Sequence, residues 1–264
     1  MREALATGAG AKEAMETMRR LGADAPRVAI VLEGTPPGLA RSLSKCVPVP
    51  HEVSVPWAGD AAALLLGELA GVSVAVLERG APEGAADPAR SAWPVRVFRE
   101  LGAEALIVGG RAVALSAEWT PGELAVLSDH INLLGGNPLV GPNVDEHGPR
   151  FPDLSEAYDP ELRRLALRTA AQLSIPLREA VLLAARPGEG RSGIEAELGA
   201  DVMGTFGVWE VITARHAGLR VLGLMIVERL AAPGSSGSGG TESTAAEGLL
   251  RLLTGVLRAL AGDR

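Results

Sequence analysis

PVRVFRELGAEALIV, Pro94 to Val108, reads as a helix that turns back into a strand. Pro94 suits the first turn of a helix, where its missing N–H has no partner to lose, and the helix is expected to run to Leu101. Ala105–Val108 is then a short apolar run of the kind a buried strand shows. Upstream, Val72–Leu77 is a second such run, so the segment reads strand, helix, strand. Further back, Arg27–Leu32 reads as a buried strand leading into a turn-rich loop, Glu33–Gly38. Between these, Asp60 is expected to cap a helix through Leu69, with Leu64, Leu65 and Leu66 as its apolar part. At the start of the chain, Met15, Met18 and Leu21 have helical spacing, and Gly22 is a plausible stop.

Downstream the alternation continues. Leu124–Leu127 reads as a strand, and residues 129–159 as mostly irregular. Asp159-Pro160 opens a helix through Leu173. Strands at Val181–Ala184 and Val221–Val227 flank a helix at Val208–His216, and Thr241–Leu260 has apolar residues at helical spacing. Strands alternating with helices point to an α/β sheet covered on both faces. The low-complexity piece PGSSGSGG, 233–240, is expected to be a flexible loop before the last helix. The chain is expected to form a single domain over residues 1–264.

Composition narrows the function. The 264 residues carry a formal net charge of -7, which disfavours phosphate backbones and anionic membrane surfaces. Apolar residues make up 47% and charged residues 22%, the balance of a chain with a substantial core. Four His and one Cys, Cys46, leave little for a metal site and nothing for an internal disulfide. Arg2, Glu3, Lys12, Glu13 and Glu16 interrupt the N-terminus, so no signal peptide is read and a cytoplasmic location is expected. No G-x-G-x-x-G or P-loop pattern follows any predicted strand. Spacing alone gives no Ser/His/Asp arrangement.

Several segments, taken in order, resemble the trimeric purine nucleoside phosphorylases: PVRVF (94–98), LGAEALIV (101–108), SDHINL (128–133), NPLVGPN (137–143), RFPDLSEAYD (150–159), LGADVMG (198–204) and WEVITARHAGLRVLGL (209–224). The resemblance spans roughly Arg27 to Arg229. It implies a single α/β domain with a central mixed sheet curled toward a barrel and flanked by helices, a phosphorylase/nucleosidase-like fold. It also implies a homotrimer with active sites near the subunit interfaces, and phosphorolysis of purine nucleosides to free base and pentose 1-phosphate. Such chemistry requires donors around phosphate, a grip on the departing purine and a shaped sugar site.

The family's site elements map poorly onto this chain. Its Gly-Ser-Gly phosphate loop aligns with Glu33-Gly34-Thr35-Pro36-Pro37-Gly38, where two prolines remove backbone donors and Thr35 is the remaining hydroxyl. Glu33 adds a carboxylate; facing a phosphate dianion at about 5 Å, it would repel it by roughly several kcal/mol at an effective dielectric near 20. Arg79 aligns with the family's phosphate arginine, but the His position is Ala81 and the sugar-contacting Tyr position is Glu83. The Asn-Ala-Ala-Gly-Gly element aligns with Gly110-Arg111-Ala112-Val113-Ala114, leaving Ala112 as a backbone candidate. The purine loop falls on Ala185–Arg191, without its aromatic and with Glu189 as the candidate carboxylate. Arg229 stands at the purine-holding Asn position, Phe206 at the phosphate Ser, Thr205 at the neighbouring Met and Thr241 at the sugar-site His. SDHINL resembles a structural and interface segment, so His130 is expected to be structural.

Segments that build the sheet and trimer match, whereas those that do chemistry do not. The expected function is therefore a phosphorylase-like protein with weak or absent phosphorolysis and a binding or partner role, as a homotrimer or with a related active subunit. The alternative is an active pentosyltransferase whose Arg79, Arg111, Arg186, Arg191 and Arg229 converge on a nucleoside or other anionic ligand. No cofactor is expected beyond inorganic phosphate as co-substrate if the protein is active.

Overall fold

A computed structural model describes Glu16, Arg20 and residues 24–34, 39–49, 63–80, 87–186, 197–231 and 239–262, with side chains from 243 onward in the last segment. Among the described residues, nine strands form one mixed sheet: β1 (Val28–Glu33), β2 (Ser44–Pro48), β3 (Ala63–Leu69), β4 (Val72–Arg79), β5 (Ala105–Ala114), β6 (Leu124–Asn132), β7 (Leu177–Ala184), β8 (Val202–Gly204) and β9 (Arg220–Leu230). The α-helices bounded among them are α1 (Leu39–Ser42), α2 (Pro88–Glu100), α3 (Pro160–Leu173), α4 (Val208–His216) and α5 (Gly239–Gly262).

The sheet order is β2-β3-β4-β1-β5-β8-β7-β6-β9, and a further pairing of β5 with β9 closes the last five strands into a barrel. Strands β1, β4, β5 and β9 run parallel, so their carboxyl ends share one edge. The central strand β1 is buried along its whole length because both of its faces are covered. Along β1, Ala29 and Val31 enter a core shared with α2 and α4, while Val28, Ile30 and Leu32 enter one shared with α3 and α5. The α/β class, the mixed sheet and its curl toward a barrel are as expected.

Local chemistry sets the helix boundaries. Asp159 accepts from the backbone N–H groups of Glu161 and Leu162 at 3.0 and 2.9 Å, capping α3 at the expected residue. Helix α2 starts earlier than expected: Asp87 accepts from the Ala89 N–H at 2.9 Å and Pro88 takes the first turn. Pro94 therefore lies inside the helix, buried, rather than at its start.

The helix expected between Asp60 and Leu69 is instead strand β3 (Asp60 itself lies outside the described residues). Leu64 and Leu66 point into one core and Leu65 into the other, a period of two rather than 3.6. Ala70 and Gly71, at φ 54° and 82°, form the two-residue turn that pairs Leu69 with Val72. Two strands went unread: β2 is an exposed edge, and β8 has only three residues. Of residues 129–159, the first four still belong to β6, and the remainder is irregular apart from a 3-10 turn at Asp145–His147. The Gly/Ser segment 233–240 lies outside the described residues except at 239 and 240, which begin α5. The N-terminal helix likewise falls outside them, apart from the helical Glu16 and Arg20.

Gly223 is a tight point of the barrel wall: a Cβ there would lie 2.7 Å from the Tyr158 ring and 2.8 Å from a Leu127 methyl. Gly223→Ala is expected to destabilise the protein by about 1–3 kcal/mol. Denaturant unfolding of the two proteins measures it, and an unchanged midpoint would show that the wall yields.

Candidate active site

The parallel register of β1 and β4 sets Glu33 beside Arg79 at their carboxyl ends, the edge at which open α/β sheets take ligands. The Arg79 Nε donates to Glu33 Oε2 at 2.9 Å. Its Nη2 donates to Glu210 Oε1, in the first turn of α4. The guanidinium also lies over the Phe206 ring, 4.8 Å from its centroid. All three charged side chains are withdrawn from water, with 14% of Arg79, 9% of Glu33 and 2% of Glu210 accessible.

A second arginine braces this corner. Arg111 on β5 donates to the Gly34 carbonyl and pairs with Glu228 Oε1 at 3.2 Å. Gly34 in turn donates its N–H to the Arg79 carbonyl at 3.0 Å, so the start of the loop after β1 is tied to both arginines. Glu228 is an extra residue in β9: Ala112 pairs with Val227 and Val113 with Arg229, a bulge between them. Gly110 permits the packing of Phe206, because a Cβ there would stand 3.0 Å from its ring.

Electrostatics follow from burial. Desolvation raises the Glu33 carboxyl from its ordinary 4.5 to about 7; Arg79 opposes the rise and Glu210 adds to it. Burial works against the Arg79 charge, but Glu210 and Glu33 outweigh it and hold the guanidinium firmly protonated.

The sequence-derived candidates are distributed as follows. Arg79 and Phe206 meet, as do Arg79 and Arg111 through Gly34. Thr205 is half-buried between β8 and α4. Ala112 is buried in the β5–β9 ladder with its methyl in the core. Arg229 is half-buried near the end of β9, and Arg186 is exposed beyond β7. Of the five arginines expected to converge, the hydrogen-bonded network among the described residues joins Arg79 and Arg111. Thr35, Glu83, Glu189 and Arg191 lie outside the described residues, as does the side chain of Thr241. His130 sits on β6, edge-on to Tyr158 at 5.7 Å, with its pKa lowered by burial.

Glu210 escaped the sequence reading. Its signal was available: a lone carboxylate among Val208, Trp209, Val211 and Ile212 must be buried, and a buried carboxylate needs a cation. Among the described residues no three His, Cys, Asp or Glu side chains are grouped to hold a metal ion. No helix among them is long and apolar enough to cross a membrane.

The sequence model of the phosphorylase superfamily matches residues 28–258. Purine nucleoside phosphorylase 1 of Geobacillus stearothermophilus is 36% identical over 78% of this chain and 79% of its own length. Purine nucleoside phosphorylase 1 of Bacillus subtilis is 41% identical over 66% of each chain. Among solved structures, the Schistosoma mansoni purine nucleoside phosphorylase in complex with inosine superposes with a TM-score of 0.83 at 25% identity, covering 95% of this chain and 96% of that one. Isoform 2 from the same organism, in complex with cytosine and ribose-1-phosphate, gives 0.84 at 26% identity, with 96% and 97% covered. The chain belongs to the purine nucleoside phosphorylase family, within the phosphorylase superfamily.

Glu33 gives the fold a pH signature. Its folded pKa of about 7 lies above the ordinary 4.5, so the native state binds the proton more tightly than the unfolded chain. Its contribution is fully present below about 4.5 and is lost as pH rises through about 7, on the order of 3 kcal/mol in all. Glu33→Gln is expected to flatten this part of the stability–pH curve. Thermal unfolding of both proteins between those two pH values tests it, and parallel curves would refute the assignment.

Proposed function

We propose that this phosphorylase-family protein carries out little or no phosphorolysis and uses the scaffold to hold a nucleoside-like small molecule or a partner chain. One observation carries the reading: the arginine aligned with the family's phosphate ligand is already engaged by Glu33 and Glu210 and stacked on Phe206. Phosphate entering this corner has to part a buried guanidinium from its carboxylates. Breaking a buried pair costs about 3–5 kcal/mol, and the anion would then face two negative groups. The substitutions at Arg229, Phe206 and Thr205 agree, each replacing a group that the family resemblance assigns to phosphate, sugar or base.

The names of the relatives favour a second reading. Proteins 36–41% identical to this chain are called purine nucleoside phosphorylases, and an active pentosyltransferase with a remodelled pocket would use a purine nucleoside and inorganic phosphate. Release of free base from inosine, guanosine and adenosine in phosphate buffer separates the two. Rates far below the roughly 1–10³ s⁻¹ of ordinary enzymes are expected; a rate within that range would establish the second reading.

The proposal includes a single cytoplasmic domain over residues 1–264, assembled as a homotrimer or with a related active subunit. Val140 and Phe151 support assembly: both are large, apolar and over four-fifths exposed, and they line a groove of about 420 Å³ with Leu139, Pro152, Leu154 and Ile212. Exposed apolar surface of this kind marks an interface. Phe151→Asp is expected to shift the protein from trimer to monomer in light scattering coupled to size exclusion. A wild-type monomer would overturn the assembly.

A further inference from the structure

Away from the corner of β1 and β4, two histidines and an arginine come together. His216 is the last residue of α4 and is buried. His147 closes the 3-10 turn at Asp145–His147 and is half-buried. Arg96, half-buried on α2, lies near enough to act on both rings, and His147 acts on His216. Three groups able to carry positive charge thus converge from three separate elements. We propose that they form an acid-sensitive latch: with both histidines neutral, residues 143–149 are seated on the end of α4, and protonation of the pair beside Arg96 unseats them.

The seat is close. Gly148, at φ 146°, lies so near α4 that a Cβ there would stand 1.9 Å from the His216 carbonyl oxygen and 3.2 Å from its ring. The segment is tied to itself as a unit. The His147 N–H donates to the Val144 carbonyl at 2.9 Å, the Gly148 N–H to the Asp145 carbonyl at 3.2 Å, and Asn143 Nδ2 to the Gly148 carbonyl at 3.0 Å. Asp145, Glu146 and Pro149 are exposed, so its grip on the body falls on the few groups that are not. Nδ1 of His147 and Nδ1 of His216 are both shielded from water without a hydrogen-bond partner among the described residues. A neutral ring can leave that nitrogen without a proton, whereas an imidazolium must bury an N–H that donates to nothing. The segment also joins the two walls of the apolar groove, with Val140 before it and Phe151 after it. Unseating it moves those walls apart from each other's register.

Electrostatics set the direction. Burial is the largest influence on both rings and lowers their pKa from the ordinary 6.5; Arg96 lowers both further, and His147 lowers His216. Against this, Glu100 from α2 and Glu146 from the 3-10 turn favour a charged His147, and the backbone of Pro149 and Gly148 favours a charged His216. Arg215, the neighbour on α4, turns its Nη1 to the Leu219 carbonyl at 3.4 Å. The seated state therefore binds these protons less tightly than the released one. Its advantage is complete above about 6.5 and is lost as pH falls through the two lowered values. Glu33 works in the opposite sense, since acid favours its buried neutral form, so release of this segment is separable from unfolding of the sheet.

The test is hydrogen–deuterium exchange of the full chain, read by mass spectrometry between about pH 8 and about pH 5 and corrected for the intrinsic exchange rate. The expected result is an opening constant for residues 141–152 that climbs by more than about tenfold per pH unit at its steepest, because two protons are taken up, while β1 and β4 stay protected. His147→Gln and His216→Gln are each expected to cut that climb to about tenfold or less. Should the buried His216→Gln variant not fold, Arg96→Gln takes its place; without the standing charge the opening is expected to begin at lower pH. Opening that is flat across pH would overturn the latch, as would exchange that rises in the sheet and the segment together. A climb unchanged in the histidine variants, or an onset unmoved in Arg96→Gln, would overturn the assignment to this cluster.

Discussion

A guanidinium taken out of water must be matched by negative charge, and the carboxyl edge of this sheet is arranged around that requirement. Arg79 is held by Glu33 from the neighbouring strand, by Glu210 from the first turn of α4 and by the face of Phe206. Three separate parts of the chain, β1, β4 and the β8–α4 connection, are fixed relative to one another through one side chain. Losing either carboxylate would leave the other contacts in place but unbalance the charge, which is why buried pairs are costly to break even where they add little net stability.

The fold makes this clasp possible before any side chain is chosen. Parallel pairing of β1 with β4 and β5 brings their carboxyl ends level, and closure of β5 against β9 brings Glu228 to the same edge. The bulge at Glu228 adds the residue that meets Arg111. The small residues serve the same end: Gly110 makes room for the Phe206 ring and Gly223 for Tyr158. Backbone geometry thus sets where charge can gather, and the side chains decide which ligand it suits.

Much of this architecture was legible in the sequence because it rests on local signals. Asp159-Pro160 and the apolar run at Val221–Val227 describe themselves, and α4 falls on the residues its pattern gave. The misreadings share a cause. Leu64-Leu65-Leu66 is apolar at every position, so its period is hidden until two cores on opposite faces reveal it. Pro94 looked like a helix start because nothing in PVRVF shows that Asp87 had already capped the helix. Strand β8, with three residues between β5 and β7, has no pattern of its own and exists only through its neighbours. At the site, the family's motif points to Arg79 and Phe206, but their stacking, and the second carboxylate on Arg79, join positions separated by more than a hundred residues of chain.

Divergence at this corner has a direction. If the site had merely decayed, the charged groups left behind would be expected to drift toward solvent or be replaced by apolar residues, since an unmatched buried charge is among the most expensive features a fold can keep. Instead the arginine remains, its two carboxylates are in contact with it, and a second arginine ties down Gly34, the residue that follows one of them. A buried three-charge cluster is a poor source of stability compared with apolar packing of the same volume. It stands at the ligand edge of the sheet, with one carboxyl lifted toward neutrality by burial.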